Sequence, residues 1–394
     1  MKKINSTNRR DFLKKVGITT VPLILPFNQI GAVNEKTLAF ANHEGSMVNM
    51  VHDGLLLSPK EYIKKLSEIE AENHFIPDNY GEGGITKKLE EKFAKLTGKE
   101  KAIYLPSGTM ANELAIKLLN GDNTKVIVPE NSHIHRDEAD AAQSVHGLRL
   151  VPVGQNKNYF DLNDLKNAIS YIDNNEVFKS GLGTVAIENP VRRANGAAVP
   201  IEVIEEISNY CRSNGLKMHL DGARLHIASA YTDVPISRYA SYFDTVYISL
   251  YKYLNTAGGA ILCGPADIID RIQHERKILG GEVYQTWANT AVADYYLENF
   301  IERFKPAIVK AENLFTELNT IEEINIQPFD EGTNVYSFQL DAKVNVQELR
   351  KTLLDKHNIL YHPHHFAVNE TYLYRSNKKL VNSFKAAIKE ASKS

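Results

Sequence analysis

Cysteine is scarce in this sequence, and the shortage excludes several ways of stabilising a fold. Among 394 residues there are two cysteines, Cys211 and Cys263. Two thiols cannot form a disulfide framework or a tetra-cysteine zinc site, although a single bridge between them stays open. A chain of this length can instead bury a hydrophobic core large enough for one large domain and one smaller domain.

The chain also lacks an excess of charge of either sign. Its 46 Lys and Arg residues face 48 Asp and Glu residues, for a formal net charge of −2, so no basic surplus points to nucleic acid. Low-complexity tracts and internal repeats are absent from the sequence as well. With 43% hydrophobic and 24% charged residues the composition is that of an ordinary globular protein. Function must therefore be read from motifs.

The first 41 residues differ in character from the rest. Paired arginines in Asn8-Arg-Arg-Asp-Phe-Leu-Lys14 precede a largely apolar run from Val16 to Phe27, and Ala39-Phe-Ala41 follows. This order is typical of a twin-arginine export signal cleaved after Ala41, and the run is too short for a permanent membrane anchor. Residues 1–41 carry +5, which leaves −7 on residues 42–394. We expect an exported, periplasmic protein. The alternative is a basic tail with a short amphipathic helix.

Strand-like and helix-like segments alternate through the middle of the chain. We predict strands at 101–105, 126–129, 148–153, 184–187, 217–220, 245–250 and 259–263. We predict helices at 58–73, 85–97, about 110–120, 133–145, 201–214 and 266–279. This alternation predicts an α/β fold with a mostly parallel sheet and helices on both faces.

The C-terminal part follows a different pattern. Residues 286–318 predict a long helix bent at Pro306, and from about 321 the order strand, strand, helix, strand, helix suits a small α+β domain. The predicted organisation is an N-terminal segment at 42–80, a large domain at 81–300 and a small C-terminal domain at 301–394.

Two predicted strands end on residues that one cofactor requires together. Leu216-Lys-Met-His-Leu220 leads into Asp221, and Tyr247-Ile-Ser-Leu-Tyr leads into Lys252. In an open α/β sheet the carboxyl ends of strands are where ligands bind. A lysine there can hold pyridoxal 5′-phosphate (PLP) as a Schiff base, and a carboxylate can keep its pyridine nitrogen protonated.

Three further strand ends, and the segment after Asp221, carry polar residues, each with an ordinary structural alternative. Ser107-Gly-Thr109 precedes a predicted helix whose N-terminus could bind phosphate, or the hydroxyls are simple helix caps. His133 could stack on a ring and move protons, or be a surface histidine. Asn189 could contact a ring hydroxyl, or mark a turn. Arg224 could bind a carboxylate, or form a surface ion pair.

The combination of these residues resembles the threonine aldolase / β-eliminating lyase family of fold-type-I PLP enzymes, from about Asp53 to the C-terminus. The segments that carry the resemblance are Asp78-Asn-Tyr-Gly81, Thr97-Gly-Lys-Glu100, Tyr104-Leu-Pro-Ser-Gly-Thr-Met-Ala-Asn112, Ser132-His-Ile134 with Glu138, Glu188-Asn189, His219-Leu-Asp-Gly-Ala-Arg-Leu225, Ser249-Leu-Tyr-Lys252 and Arg276-Lys-Ile-Leu-Gly-Gly281.

The resemblance implies a role for each residue. Lys252 would form the Schiff base, Asp221 would pair with the pyridinium, and His133 would stack on the ring and carry protons. Ser107, Gly108, Thr109 and Asn189 would contact the cofactor. Arg224 would bind the cofactor or the substrate carboxylate, and Arg375 of the small domain would bind that carboxylate too. Tyr80, in a loop at the site entrance, would contact the substrate. The resemblance also implies a homodimer or homotetramer.

Three departures from the family pattern fall on substrate-facing positions. His52-Asp-Gly54 stands for a Ser-Asp-Thr stretch and keeps only the acid. Gly83-Gly84 replaces an acid and a proline after Glu82, and Tyr284 stands where an arginine is usual.

The resemblance implies a PLP-dependent lyase that cleaves a β-hydroxy amino acid to glycine and an aldehyde. The alternatives are β-elimination from another amino acid and an exported, non-catalytic member of the fold.

A cluster of histidines in Tyr361-His-Pro-His-His365 is the remaining candidate site. Histidines can bind zinc or copper, but no carboxylate or cysteine flanks this stretch at ligand spacing. We therefore expect a surface or entrance role for it and predict no metal site.

Overall fold

The computed structural model describes residues 45–392, so the predicted export signal lies outside the described residues. Strand β1 (Val48–Asn49) comes first, and seven further strands form one central sheet. These are β2 (Lys101–Leu105), β3 (Lys125–Pro129), β4 (Arg149–Val153), β5 (Leu182–Glu188), β6 (Lys217–Asp221), β7 (Thr245–Ser249) and β8 (Ala260–Gly264).

The strand order in this sheet is β2-β8-β7-β6-β5-β3-β4. The strands β7, β6, β5, β3 and β4 pair with one another in parallel, and β8 runs antiparallel to both of its neighbours, β2 and β7. The carboxyl ends of β3, β5, β6 and β7 therefore meet at one edge of the sheet, and β2 ends there too. This mostly parallel sheet confirms the predicted fold class.

Helices cover the sheet and connect its strands. They are α1 (Pro59–Asn73), α2 (Gly84–Thr97), α3 (Gly108–Asn120), α4 (His133–Arg136), α5 (Ala141–His146), α6 (Leu162–Asn175), α7 (Ile201–Ser213), α8 (Leu225–Thr232), α9 (Ile236–Ser241), α10 (Ala266–Ile278), α11 (Trp287–Leu297) and α12 (Phe300–Leu318), with a 3₁₀ turn at Arg192–Ala194. Local sequence explains several boundaries. Ser58 and Glu61 form a reciprocal capping box at the start of α1, and Gly98 ends α2 in a left-handed conformation.

Both faces of the sheet are buried, because successive side chains of β7 and β8 belong alternately to two different hydrophobic clusters. Tyr247 and Leu262 pack in one hydrophobic cluster with residues of α3 and α10. Their neighbours Val246, Ile248 and Ile261 belong instead to the larger core on the other face. Successive strand side chains point to opposite faces, so helices must cover both.

The C-terminal part of the chain contains a second, smaller sheet. Strands β9 (Ile324–Pro328), β10 (Val335–Leu340) and β12 (His365–Ala367) make this antiparallel sheet in the order β12-β10-β9. Strand β11 (Ile359–Leu360) instead pairs with β1 in parallel. Helices α13 (Val346–His357) and α14 (Asn377–Ala391) and a 3₁₀ turn at Glu370–Tyr374 are the other elements of this part.

Two predicted helices are interrupted. The prediction of one helix over 133–145 is wrong, because Ala139 and Asp140 take positive φ angles of 51° and 54° and separate α4 from α5. The prediction of one continuous helix over 286–318 is also wrong. The chain breaks at Asn299, which has a φ of 56°, and Pro306 lies inside α12. Sequence reasoning assigned no element to α6, although Asp161 and Asp164 form a capping box at its start.

Two remaining expectations concern cysteine and membranes. Cys211 and Cys263 are both buried as free thiols, so the bridge that the sequence left open is not formed. Within residues 45–392, no helix has the length and apolar character that a membrane crossing requires.

Candidate active site

A cavity of about 300 Å³ opens at the carboxyl edge of the central sheet. Its wall contains Ser107, Gly108, Thr109, His133, Asp221, Arg224 and Lys252, seven residues that the sequence singled out. They come from the ends of β2, β3, β6 and β7 and are separated by up to 145 positions in sequence, from Ser107 to Lys252. The fold therefore brings most of the predicted site together at the edge where parallel sheets bind ligands.

Strand register explains why the cavity floor is acidic. Glu188 of β5 lies directly beside Asp221 of β6, and Asp221 lies beside Tyr247 of β7. Side chains in register on neighbouring strands point to the same face of a sheet. Glu188 and Asp221 are 4% and 1% exposed, so two carboxyl groups share one dry wall.

The turn after β2 forms one end of the cavity. Ser107 caps α3, its hydroxyl oxygen accepting from the amide of Met110 at 3.2 Å. Gly108 begins the helix above the Tyr247 ring, where an added Cβ would come within 2.0 Å of the phenol oxygen. Only glycine fits there, and the helix N-terminus presents free N–H groups that suit an anion.

Lys252 follows β7 and reaches the same cavity. Its Nζ lies 4.7 Å from the centre of the Tyr251 ring and 3.4 Å from the Tyr251 hydroxyl. Burial, together with the Arg224 cation, lowers the pKa of the Lys252 amine to about 8, because both disfavour its charged form. At pH 8 the neutral fraction of this amine exceeds that of an ordinary lysine, which makes Lys252 a nucleophile for a carbonyl carbon.

His133 faces this lysine from the start of α4. Its Nδ1 lies 2.8 Å from Glu138 Oε1, and its backbone N–H donates to Glu188 Oε2 at 2.7 Å. The hydrogen bond to Glu138 raises the pKa of His133 above its usual value. Burial and the Asp221 charge raise the pKa of Glu188 to about 7. Glu138 lies in the segment between α4 and α5.

Arg224 is fixed by an acid from the N-terminal segment. Its Nε donates to Asp53 Oδ2 at 2.8 Å, and Asp53 Oδ1 accepts from Asn334 of the C-terminal part at 3.0 Å. The Arg224 cation and the Asn334 amide offset the desolvation of Asp53, and its pKa lies below the usual range. Asp53 is the acid that the sequence retains in His52-Asp-Gly54. It occupies one edge of the guanidinium and leaves the terminal nitrogens for another anion.

A second chamber of about 690 Å³ adjoins the cavity and shares Lys252, His133 and Arg224 with it. Its further lining is largely apolar near α1, with Leu56, Leu57, Pro59, Tyr62 and Ile63. His52, Asp53 and Arg192 are the charged or imidazole side chains that this chamber adds. This chamber offers room for a molecule larger than the one that fills the first cavity.

Three predicted site residues lie elsewhere. Asn189 is offset by one position from Glu188, so its side chain enters the interior and accepts from the Val199 amide at 2.9 Å. Arg375 donates to backbone carbonyls of Ser46, His357 and Asn358 and lines neither chamber. Their assignment to cofactor and substrate is therefore not supported by the geometry of this chain.

Tyr80 is the third of these residues and lies on the surface. It is 46% exposed, and its ring meets the Tyr284 ring edge to face at 5.3 Å between centres. It lines neither chamber.

One cluster of side chains could offer ligands to a metal ion within residues 45–392. It consists of His133, Glu138 and Asp221, whose ligand atoms lie within 4.8 Å of one another inside the cavity described above. In the histidine stretch, the rings of His362 and His365 stack with centres 3.9 Å apart, an arrangement that does not converge their nitrogens on one point.

The chain belongs to the beta-eliminating lyase family. The family model, Beta-eliminating lyase, matches residues 63–341. The low-specificity L-threonine aldolase of Candida albicans is 32% identical over 221 residues, which are 56% of this chain and 58% of that protein, so the alignment spans little more than half of this relative.

Solved structures show the same fold. One from Exiguobacterium sp. 255-15, named as a candidate aromatic amino acid beta-eliminating lyase/threonine aldolase, gives a TM-score of 0.74 at 24% identity and covers 89% of this chain and 98% of its own. A serine palmitoyltransferase from S. paucimobilis with bound PLP-myriocin gives a TM-score of 0.63 at 13% identity, covering 88% of each chain. PLP is the cofactor of this fold and family.

The residues of the cavity fit PLP at its phosphate, its pyridine nitrogen and its aldehyde. The N-terminus of α3 at Gly108 and Thr109 would hold the phosphate, and Asp221 would face the pyridine nitrogen. Lys252 would bind the aldehyde carbon, and the half-buried His133 ring borders the space between them. The close approach of Gly108 to Tyr247 shows that the phosphate end has no room for a larger side chain.

Sequence reasoning gave no role to several residues that build this wall. Glu188, Tyr247, Tyr251 and Gly259 line the cavity, and Glu138 stands opposite His133. For Glu188 the signal was present, because it ends a strand one position before the residue that was chosen. For Tyr251 and Gly259 only the folded chain shows the proximity.

Proposed function

We propose that this chain is a PLP-dependent lyase, similar to threonine aldolases, that cleaves a β-hydroxy amino acid to glycine and an aldehyde. One observation carries the proposal: Lys252, Asp221 and His133 converge on one cavity in a member of this family. Curated relatives named low-specificity L-threonine aldolases support the choice of reaction.

The side chains divide the work by their positions. The terminal nitrogens of Arg224, whose Nε Asp53 already occupies, bind the substrate carboxylate. Tyr251 and Lys252 border both chambers, so the substrate side chain extends into the second, partly apolar one. When bound, PLP supplies an electron sink that stabilises the carbanion left by Cα–Cβ cleavage.

His133 is the proposed base for the β-hydroxyl proton. Glu138 holds its Nδ1, so the other ring nitrogen, Nε2, is left to accept a proton. A base must be neutral to accept, and the raised pKa of His133 keeps it protonated to a higher pH than an ordinary histidine. Cleavage that depends on His133 should therefore increase as pH rises through that pKa.

Substrate assays test the reaction directly. Purified protein with PLP is incubated with L-threonine, L-allo-threonine, serine and tyrosine, and glycine, aldehyde, ammonia and phenol are measured. We expect glycine and aldehyde in equal amounts from a β-hydroxy amino acid, with turnover lost in Lys252→Ala and reduced roughly 10²–10⁴-fold in His133→Phe, the range of a general base.

Other outcomes have distinct meanings in this assay. Ammonia or phenol without glycine would replace cleavage by β-elimination, the alternative reaction. A wild-type protein that binds PLP but turns over none of the four substrates would favour the non-catalytic alternative. The exposed-site variant Lys179→Ala serves as a control and should behave as wild type, since Lys179 lies outside both chambers.

We propose that residues 1–41 direct export by the twin-arginine route to the periplasm, with no membrane anchor after cleavage. The order of the arginine pair, apolar run and Ala39-Phe-Ala41 supports this proposal. So does the route itself, which carries folded, cofactor-loaded proteins.

Fractionation of a Gram-negative host that has the twin-arginine translocase tests the export proposal. We expect the full-length chain in the periplasm with its N-terminus at Asn42, and retention in the cytoplasm when Arg9 and Arg10 are both changed to lysine. Periplasmic delivery of the double-lysine variant, or cytoplasmic retention of the wild type, would contradict the proposal.

We infer that the protein is a homodimer or homotetramer. Large hydrophobic side chains that are exposed support this, including Ile76 at 72% and Tyr284 at 60% exposure. Sedimentation equilibrium should give two or four times the monomer mass, and a monomer mass at micromolar concentration would contradict the inference.

A further inference from the structure

A buried side chain behind the cavity wall, Asn112, joins two of its acidic groups. Its Nδ2 lies 2.8 Å from Glu138 Oε1 and 2.9 Å from Asp221 Oδ2. An amide nitrogen carries two hydrogens, so it can donate one to each carboxylate. Asn112 is fully buried on α3, and neither bond can be replaced by water without rearrangement.

The orientation of this amide is fixed from behind by His219. Asn112 Oδ1 lies 3.0 Å from His219 Nε2, and His219 Nδ1 lies 2.9 Å from Thr245 Oγ1. A flipped amide would point its oxygen at two carboxylates, which is repulsive. His219 Nε2 therefore donates to Asn112, and the Thr245 hydroxyl donates to Nδ1.

This assignment requires His219 to be neutral, and its surroundings keep it so. Burial lowers the pKa of His219 to about 4, because the imidazolium is poorly solvated there. At neutral pH the ring thus carries a single proton, on the nitrogen that faces Asn112. The amide has one stable orientation.

The same chain of hydrogen bonds reaches the reacting groups. Glu138 Oε1, which accepts from Asn112, also lies 2.8 Å from His133 Nδ1. One continuous chain of hydrogen bonds thus runs from the proposed base, His133, through Glu138 and Asn112 to Asp221, the proposed partner of the pyridine nitrogen. We propose that Asn112 is a positioning residue that couples the charge state of the His133–Glu138 pair to that of Asp221.

The physical reason is the repulsion between two buried carboxylates. Glu138 and Asp221 are 6% and 1% exposed, so little water screens their charges. Burial, together with the Asp221 charge, raises the pKa of Glu138, and the hydrogen bond from Asn112 opposes that rise, so loss of the amide favours uptake of a proton by this pair. Asp221 needs its charge to hold the pyridine nitrogen protonated, and Glu138 needs its charge to orient His133. The inference therefore rests on PLP binding in this cavity, the basis of the proposed function.

Several other titratable groups face this chain of hydrogen bonds, and the test must leave those groups unchanged. They are Glu188, Lys252, Tyr247, Arg224 and Glu113. All remain in place when Asn112 alone is replaced.

The test replaces Asn112 by leucine, which has a similar size and no hydrogen-bonding group. The matched control is Asn120→Leu, since Asn120 is equally buried at the other end of α3 and its amide donates to the Asn123 carbonyl, away from the cavity. For the wild type and both variants we measure the PLP dissociation constant and the pH dependence of the visible absorption of bound PLP.

We expect N112L to weaken PLP binding about 10-fold or more, the loss expected for hydrogen bonds to charged groups. We also expect the pH midpoint of the visible absorption to move by about one unit. N120L should lower thermal stability and move neither quantity. N112D, which places a third acid in the chain, should shift the midpoint at least as far.

The result that overturns the inference is an N112L protein whose absorption midpoint equals that of the wild type, whether or not its stability falls. An equal shift in N120L would also overturn it, because the effect would then come from general loosening of α3. If the wild type itself binds no PLP, the proposed function fails together with this inference.

Discussion

Burial of negative charge is the constraint on which this site depends. Glu138, Glu188 and Asp221 sit in one wall with 6%, 4% and 1% exposure, where an uncompensated carboxylate is costly. The structure compensates each in its own way. Glu188 accepts two backbone amides, those of His133 and Arg192, and Glu138 and Asp221 share the amide of Asn112. The side chains of Arg224 and Lys252 line the same cavity. The acidic wall in turn suits a cationic pyridinium.

Sheet register decides which of these groups the sequence can predict. Lys252 and Asp221 were predictable, because each directly follows an apolar run that reads as a buried strand. The choice between Glu188 and Asn189 was not, since a shift of one position turns a side chain to the opposite face. Only pairing with Asp221 on the neighbouring strand places Glu188 in the cavity. Arg375 could not be assigned from sequence for a similar reason, because its carbonyl partners at Ser46, His357 and Asn358 come from other parts of the chain.

Most strands and helices between residues 81 and 300 were predictable, because their hydrophobic periodicity is strong and their caps are ordinary. The failures are informative. The turn between α4 and α5 interrupts a periodic helix just after Glu138, through left-handed Ala139 and Asp140. Asn299 comes directly before α12 and separates it from α11, where composition would continue one helix. Asp140 and Asn299 are of types that tolerate a left-handed backbone and Ala139 is not, and the hydrophobic pattern around them gives no sign of either break.

Of the altered positions in the sequence, His52 and Gly54 are the ones that line a chamber described above. Asp53 retains a structural task, the ion pair with Arg224, while His52 lines the second chamber and Tyr284 pairs with Tyr80 on the surface. The cofactor wall is thus the more strongly determined half of the site. The second chamber is where chemistry would be tuned to a particular amino acid.

The central claim is that Lys252 is the lysine that holds PLP, with Asp221 as its partner across the ring. The most direct measurement is borohydride reduction of the protein loaded with PLP, followed by peptide mapping by mass spectrometry. The account predicts a single pyridoxyl group on Lys252, formed in lower yield in Asp221→Ala because cofactor binding is weakened. A pyridoxyl group on another lysine, or none on Lys252 in a protein that retains PLP, would contradict it.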